Sequence, residues 1–184
     1  MEGEIVLLDG QDLYLRLKDD WYDIKSITNS LADVEWFGLK DQKVLDGPVD
    51  DPFMFTKNIT TGFVQVVEGY NLPPHTDNIL ASQINHPSEF YSQWLLKTGN
   101  RNCAIMIPVE GDFKNTYTVL YDKNHNELTR FTLEDGPVLY PTNGDILHGV
   151  DNTNKGPRIT YKYSFEEDYE TIRDQIFTVE LAKV

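Results

Sequence analysis

The stretch LPPHTDN, Leu72 to Asn78, sets a histidine and an aspartate two residues apart, His75 and Asp77. In an extended chain, side chains two apart point to the same face, so the pair can converge on one point. A metal ion is the usual reason for a neutral imidazole and a carboxylate to share one. Taken alone, the pair is better read as a polar turn opened by Pro73 and Pro74. A second stretch changes that balance. YPTNGDILHGVDNTNKGPRITYKYSF, Tyr140 to Phe165, carries His148 and, ten residues on, Arg158. It reads as a hairpin, GDILHGV and RITYKYSF joined by the turn-rich DNTNKGP. With an odd number of loop residues, His148 and Arg158 would face the same side almost opposite each other. The second strand sorts by face: Ile159, Tyr161, Tyr163 and Phe165 on one side, Arg158, Thr160, Lys162 and Ser164 on the other. The apolar side is expected to meet helices, and the polar side to look inward near His148.

A buried arginine beside a histidine calls for an anion, and the guanidinium fork matches a carboxylate. The Thr160 hydroxyl can add a bond to the same group. The chain therefore offers His75, Asp77 and His148 as a two-histidine, one-carboxylate metal set, with an Arg158-x-Thr160 anion clamp beside it. Such a set, leaving open coordination positions, is the pattern of non-haem Fe(II) oxygenases. Singly, His148 reads as a satisfied core histidine and Arg158 as the partner of a surface acid; jointly, the site is favoured. His86 and His125 lie among turn residues and receive no role. Cys103 sits in an apolar strand and reads as inert packing. Gln65, Tyr70 and Arg101 could reach the pocket, without a contact being assignable.

The chain that must position these groups has 184 residues, which suits one domain spanning 1–184 with a sizeable core. Its single cysteine rules out an intrachain disulfide and favours a reducing compartment. The acidic start, MEGEIVLLDGQDL, is unlike a signal peptide, and no stretch approaches the roughly 20 apolar residues of a membrane span. A cytoplasmic, soluble protein is expected. A net charge of −14 speaks against a general nucleic-acid binder; the oligomeric state is not legible.

In residues 1–60, EIVLL and DLYLRL predict a strand pair around Asp9-Gly10. DDWYDIKSITNSLADV predicts a helix with Trp21, Ile24, Thr28 and Leu31 on one side. PSEFYSQWLLKTG predicts another, begun at Pro87-Ser88 and ended at Gly99. From Gly62, the short segments GFVQVVEG, CAIMIPV, TYTVLYD, ELTRFTL, PVLYP, GDILHGV and PRITYKYSF alternate with turn clusters, which predicts a sandwich or barrel. EEDYETIRDQI, within the tail 166–184, sets Tyr169, Ile172 and Ile176 on one helical side. The expected architecture is mainly β, a sandwich or jelly roll with helices packed on one sheet.

His75-x-Asp77, then His148, then Arg158-x-Thr160 resembles the signature of the Fe(II)- and 2-oxoglutarate-dependent oxygenases. The order, the spacing from distal histidine to arginine and the β setting all match, and the resemblance covers about residues 62–165. It implies a double-stranded β-helix (jelly roll) core and a hydroxylase acting on an amino acid, a peptide or a small molecule. It implies Fe(II) on His75, Asp77 and His148, 2-oxoglutarate as cosubstrate with its far carboxylate on Arg158 and Thr160, and O2, with ascorbate as a supporting reductant. No catalytic residue beyond the metal ligands is implied. Residues 78–100 are the expected lid or specificity insert. The competing classes are a cupin-like metal protein, which usually draws more histidines from its first motif, and a non-catalytic β-sandwich binding module.

Overall fold

A computed structural model of the chain describes residues 4–8, 11–17, 37–38, 42–46, 59–77, 101–152 and 157–181. The helices expected near residues 19–34 and 87–99, the insert 78–100 and His86 lie outside the described residues. The described strands are β1 (Glu4–Leu8), β2 (Gln11–Arg16), β3 (Phe37–Gly38), β4 (Gln42–Asp46), β5 (Ile59–Val66) and β6 (Leu72–His75). They continue as β7 (Cys103–Gly111), β8 (Tyr117–Tyr121), β9 (Glu127–Phe131), β10 (Val138–Pro141), β11 (Leu147–Asp151) and β12 (Arg158–Phe165). The described helix, α1, runs Tyr169–Leu181. The strands form two antiparallel sheets, ordered β1-β2-β10-β7-β12-β5-β4-β3 and β6-β11-β8-β9.

Alternation along the strands builds two cores. The odd-numbered residues of β7 and β12, Cys103, Ile105, Ile107, Tyr161, Tyr163 and Phe165, pack outward against Tyr169, Ile172 and Ile176 of α1. The apolar face expected to meet a helix does so. Ala104, Met106, Val138 and Tyr140 point the other way, between the sheets, toward Leu120 and Phe131. Arg158, Thr160, Lys162 and Ser164 line that same inner side and are all buried. A strand with a polar inner face, fully buried, needs partners for every one of those groups, and the partners define the site.

The expected β11–β12 hairpin does not form. β11 pairs with β6 and β8, whereas β12 pairs with β5 and β7 in the other sheet. The chain therefore changes sheets between Asn152 and Pro157, and these two ends reach the space between the sheets from opposite walls. Asn152 anchors the start of the crossing, its side-chain amide donating to the Val67 carbonyl at 2.8 Å. At its end, Gly111 faces Arg158 in register. Its φ of +124° and a Cβ position only 2.5 Å from the Pro157 carbonyl oxygen leave room for glycine alone. Among the described residues no helix is long and apolar enough to cross a membrane.

Candidate metal centre

LPPH is a strand, not the turn its prolines suggested. β6 is the edge of the four-stranded sheet, the place where a strand tolerates missing N–H donors. It pairs with β11 so that His75 stands opposite His148, and the two rings lie 4.2 Å apart between centroids. Asp77 follows just beyond the strand. Its amide donates to the Thr142 carbonyl at 2.8 Å, and its carbonyl accepts from Arg101 Nη2 at 3.2 Å. Thr142 in turn donates through its hydroxyl to the Arg101 carbonyl at 2.9 Å. The backbone of Asp77 is thus tied to the end of β10 and the start of β7.

Asp77 Oδ1 faces His148 Nε2 at 3.5 Å and His75 Nε2 at 3.9 Å. Those separations are long for strong hydrogen bonds. One donor atom from each of the three residues lies within 4.8 Å of the others, a spacing that a single ion can bridge. His75 Nδ1 lies 2.8 Å from the Pro73 carbonyl oxygen, an acceptor, so Nδ1 carries the proton and Nε2 keeps its lone pair. Burial holds the His75 imidazole below its ordinary pKa. Burial, with His75 close by, brings His148 down to about 4. Burial alone would raise Asp77, but the adjacent Arg101 and Lys162 cations hold it well below the carboxylate range. At neutral pH the cluster is two neutral imidazoles and one carboxylate, the donor set that suits a divalent transition metal.

Two cations that the sequence left without a role complete the surroundings. Lys162 donates to Asp77 Oδ2 at 2.6 Å, and Arg101 Nη1 lies 3.9 Å from the same oxygen. Lys162 was legible as part of the inward face of β12; its partner was not. Gln65 is turned away from the site: it stands opposite Ile159 in register and so shares the face that leans on α1. Tyr70 lies in the turn after β5, its amide donating to Val67. His125 is exposed in the β8–β9 turn with a φ of 65°. Cys103 is fully buried, and burial pushes its thiol far up.

Arg158 reaches across the gap between sheets. It is 1% exposed, and Nη2 donates to the Thr118 hydroxyl on β8 at 3.2 Å. Among the described residues, Nε and Nη1 have no hydrogen-bond partner. Burial lowers its pKa to about 10, which leaves it cationic at neutral pH. Thr160, two residues on, donates to the Val64 carbonyl on neighbouring β5 at a long 3.4 Å.

No family model and no curated protein matches the sequence. Among solved structures, a prolyl-4-hydroxylase from Pseudomonas putida is similar over 83% of this chain and 91% of its own, at 9% identity and a TM-score of 0.50. The chain has a double-stranded β-helix fold. A 2OG-Fe(II) oxygenase-family oxidoreductase from Burkholderia pseudomallei matches with a TM-score of 0.49, at 11% identity over 77% of this chain and 76% of its own. A cupin domain from Schizosaccharomyces pombe matches at 0.44, with 14% identity over 79% and 78%. In this double-stranded β-helix, the cluster of His75, Asp77 and His148 lies at one end of the smaller sheet, and Arg158 enters the same interior from the larger one.

Proposed function

We propose that the chain is a non-haem Fe(II)- and 2-oxoglutarate-dependent oxygenase that hydroxylates an amino acid, a peptide or another small molecule. The observation that carries this reading is the pairing of two features in one interior. One wall presents two neutral imidazoles and a carboxylate. The other presents a buried guanidinium with two N–H sites unsatisfied and, among the described residues, no carboxylate for it. A buried cation without a counter-charge is costly; a carboxylate-bearing ligand would supply the missing charge.

His75, Asp77 and His148 would hold the metal. Iron bound there would supply oxygen activation coupled to the oxidative decarboxylation of 2-oxoglutarate to succinate. The protein's own part is placement. Pro73 fixes the His75 tautomer, Thr142 and Arg101 hold the Asp77 backbone, and Lys162 turns the carboxylate so that Oδ1 faces the imidazoles. Arg158 offers a fork for the far carboxylate of the keto acid, at a buried position that excludes water.

The reading is tested by succinate formation from 2-oxoglutarate in the presence of Fe(II), O2 and ascorbate, alone and with pools of amino acids and short peptides. Turnover that depends on iron and is lost in His148→Ala is expected. A protein that purifies without iron, fails to bind it and yields no succinate would instead be a binding module.

A further inference from the structure

The sequence contains one Asn-Gly step, Asn143-Gly144. It lies in the turn that leads from β10 in the larger sheet to β11 in the smaller. The Gly144 amide donates to Asn143 Oδ1 at 2.8 Å in an exposed position. That nitrogen therefore sits beside Cγ, the side-chain carbon that bears the oxygen. Gly144 has a φ of +84° and nothing within 4 Å of a built Cβ. It brings no side chain of its own to the approach, and no neighbour crowds it.

This arrangement has its own chemistry. Once the Gly144 amide loses its proton to hydroxide, the nitrogen can attack Asn143 Cγ. An N–Cγ bond forms, the Cγ–Nδ2 bond breaks, and ammonia leaves behind a cyclic imide. Water then opens the ring. Cleaving the new N–Cγ bond gives aspartate. Cleaving the original peptide bond gives isoaspartate, with the main chain rerouted through Cγ. The net change is one amide hydrolysed, with water as the only co-reactant.

The residue so altered is fastened to the frame of the metal centre. Asn143 Nδ2 donates to Asn102 Oδ1 at 2.9 Å. The preceding residue, Thr142, donates through its amide to the Asn102 carbonyl at 2.9 Å and accepts from the Asp77 amide at 2.8 Å. Asp77 thus hangs on Thr142, Thr142 on Asn102, and the Asn143 side chain is the clasp. An ionised carboxylate at 143 has no proton to give Asn102 Oδ1. Asn102 cannot turn its amide to meet the new group without giving up the Glu166 carbonyl, to which its Nδ2 donates. The new charge would also enter a cleft that Asp145, Asp168 and Glu170 line together with Arg173, so repulsion adds to the lost bond. Isoaspartate goes further. Its extra backbone carbon lengthens the chain directly after Thr142, the residue that holds Asp77.

We propose that Asn143 is a site of spontaneous deamidation, and that its products unfasten Thr142 and with it Asp77, so that the metal cluster weakens as the protein ages. The second half rests on the oxygenase reading, which makes Asp77 a ligand. The first half stands on the turn alone.

The test ages the metal-free parent and Gly144→Ala side by side in mildly alkaline buffer at body temperature. The added methyl stands beside the attacking nitrogen, and general damage on storage would strike both proteins alike. Peptide mass spectrometry reads amide-to-acid conversion at residue 143, and calorimetry reads Mn(II) affinity before and after. Residue 143 should convert in the parent, while Gly144→Ala keeps its amide over the same time. Mn(II) affinity of the converted parent should fall about fivefold or more, the scale of one lost hydrogen bond. Aged Gly144→Ala should match its fresh sample. An amide that persists in the parent, or converts equally fast in Gly144→Ala, overturns the modification. Conversion with undiminished Mn(II) affinity overturns the coupling to Asp77. If the fresh parent binds no Mn(II), the metal reading fails and the coupling falls with it, while the mass measurement still decides the modification.

Discussion

Lys162 Nζ donates to Asp77 Oδ2 at 2.6 Å, both groups buried, while Asp77 Oδ1 is left facing the two imidazoles. One carboxylate is thereby divided between a fixed cation and an open cluster of lone pairs. Lys162→Met should cost about 3 kcal/mol in the metal-free protein, the lower end for breaking a buried pair, because Arg101 remains near Oδ2. A divalent ion would then meet a carboxylate no longer shared with the ammonium. The Mn(II)-induced increase in the urea midpoint should therefore be larger in Lys162→Met than in the parent. An equal or smaller increase would mean that the ammonium does not compete with the metal for this carboxylate.

The three proposed ligands should differ in what their loss does to the fold. His75→Ala and His148→Ala should abolish Mn(II) binding in calorimetry while leaving a folded protein. Asp77→Ala should also abolish it, and in addition leave Lys162 and Arg101 beside an empty position, at a cost of roughly 3–5 kcal/mol. Circular dichroism with urea denaturation separates the cases. Undiminished Mn(II) affinity in His148→Ala would remove His148 from the ligand set.

Acidification should show how the histidines are buried. Two ordinary imidazoles, with pKa near 6.5, would lose about a hundredfold in metal affinity between pH 7.5 and 5.5 through proton competition. With His148 lowered to about 4 and His75 also lowered, the affinity should fall by less than tenfold over that range. The same shift has a stability consequence. The unfolded chain takes up protons near pH 6.5 that the folded His148 refuses until about 4, so metal-free stability should decline as pH falls through that window. Asp77, held low, acts in the same sense at lower pH: its carboxyl is protonated in the unfolded chain through the ordinary carboxylate range but not in the folded one, so its share is lost as pH falls through and below that range. Calorimetry at the two pH values, with urea unfolding at pH 7 and 4.5, checks both statements; a hundredfold fall in affinity would show exposed imidazoles.

Apart from β6, the β elements from Gly62 onward were legible because alternation and turn clusters report burial directly, and α1 followed from Tyr169, Ile172 and Ile176. The grouping of His75, Asp77 and His148 was legible from residue type, and the inward polar face of β12 from its alternation. What failed was whatever depends on pairing partners. DNTNKGP reads the same whether it turns a hairpin or crosses between sheets, because only the sheet assignment of β11 and β12 distinguishes them. β6 was hidden by Pro73 and Pro74, whose tolerance depends on an edge position that sequence does not reveal. β3 has two residues, too few to carry a period. The partnership of Lys162 with Asp77 spans 85 residues, beyond any local signal.

The last prediction concerns how tightly β6 must approach β11 for the cluster to exist. Gly149 follows His148 in β11, and a Cβ built on it would stand 2.6 Å from the Leu72 carbonyl oxygen and 3.3 Å from the Pro73 carbonyl carbon. Those are backbone atoms, so no rotamer change can relieve the clash. β6 is an edge strand, and two of its four residues are prolines with no N–H to donate, so it should yield by moving away from β11. His75 and Asp77 would move with it, whereas His148 stays anchored to β8 through its pairing with Leu120. Gly149→Ala should therefore weaken Mn(II) binding by more than tenfold. The larger sheet does not depend on this contact, so the fold should survive. Gly144, in the turn before β11, supplies the control: its φ is +84° with nothing within 4 Å of a built Cβ. Gly144→Ala should cost roughly 1 kcal/mol of backbone strain and leave Mn(II) affinity unchanged. A Gly149→Ala protein that binds Mn(II) as tightly as Gly144→Ala would show that close approach of β6 is not what assembles the site.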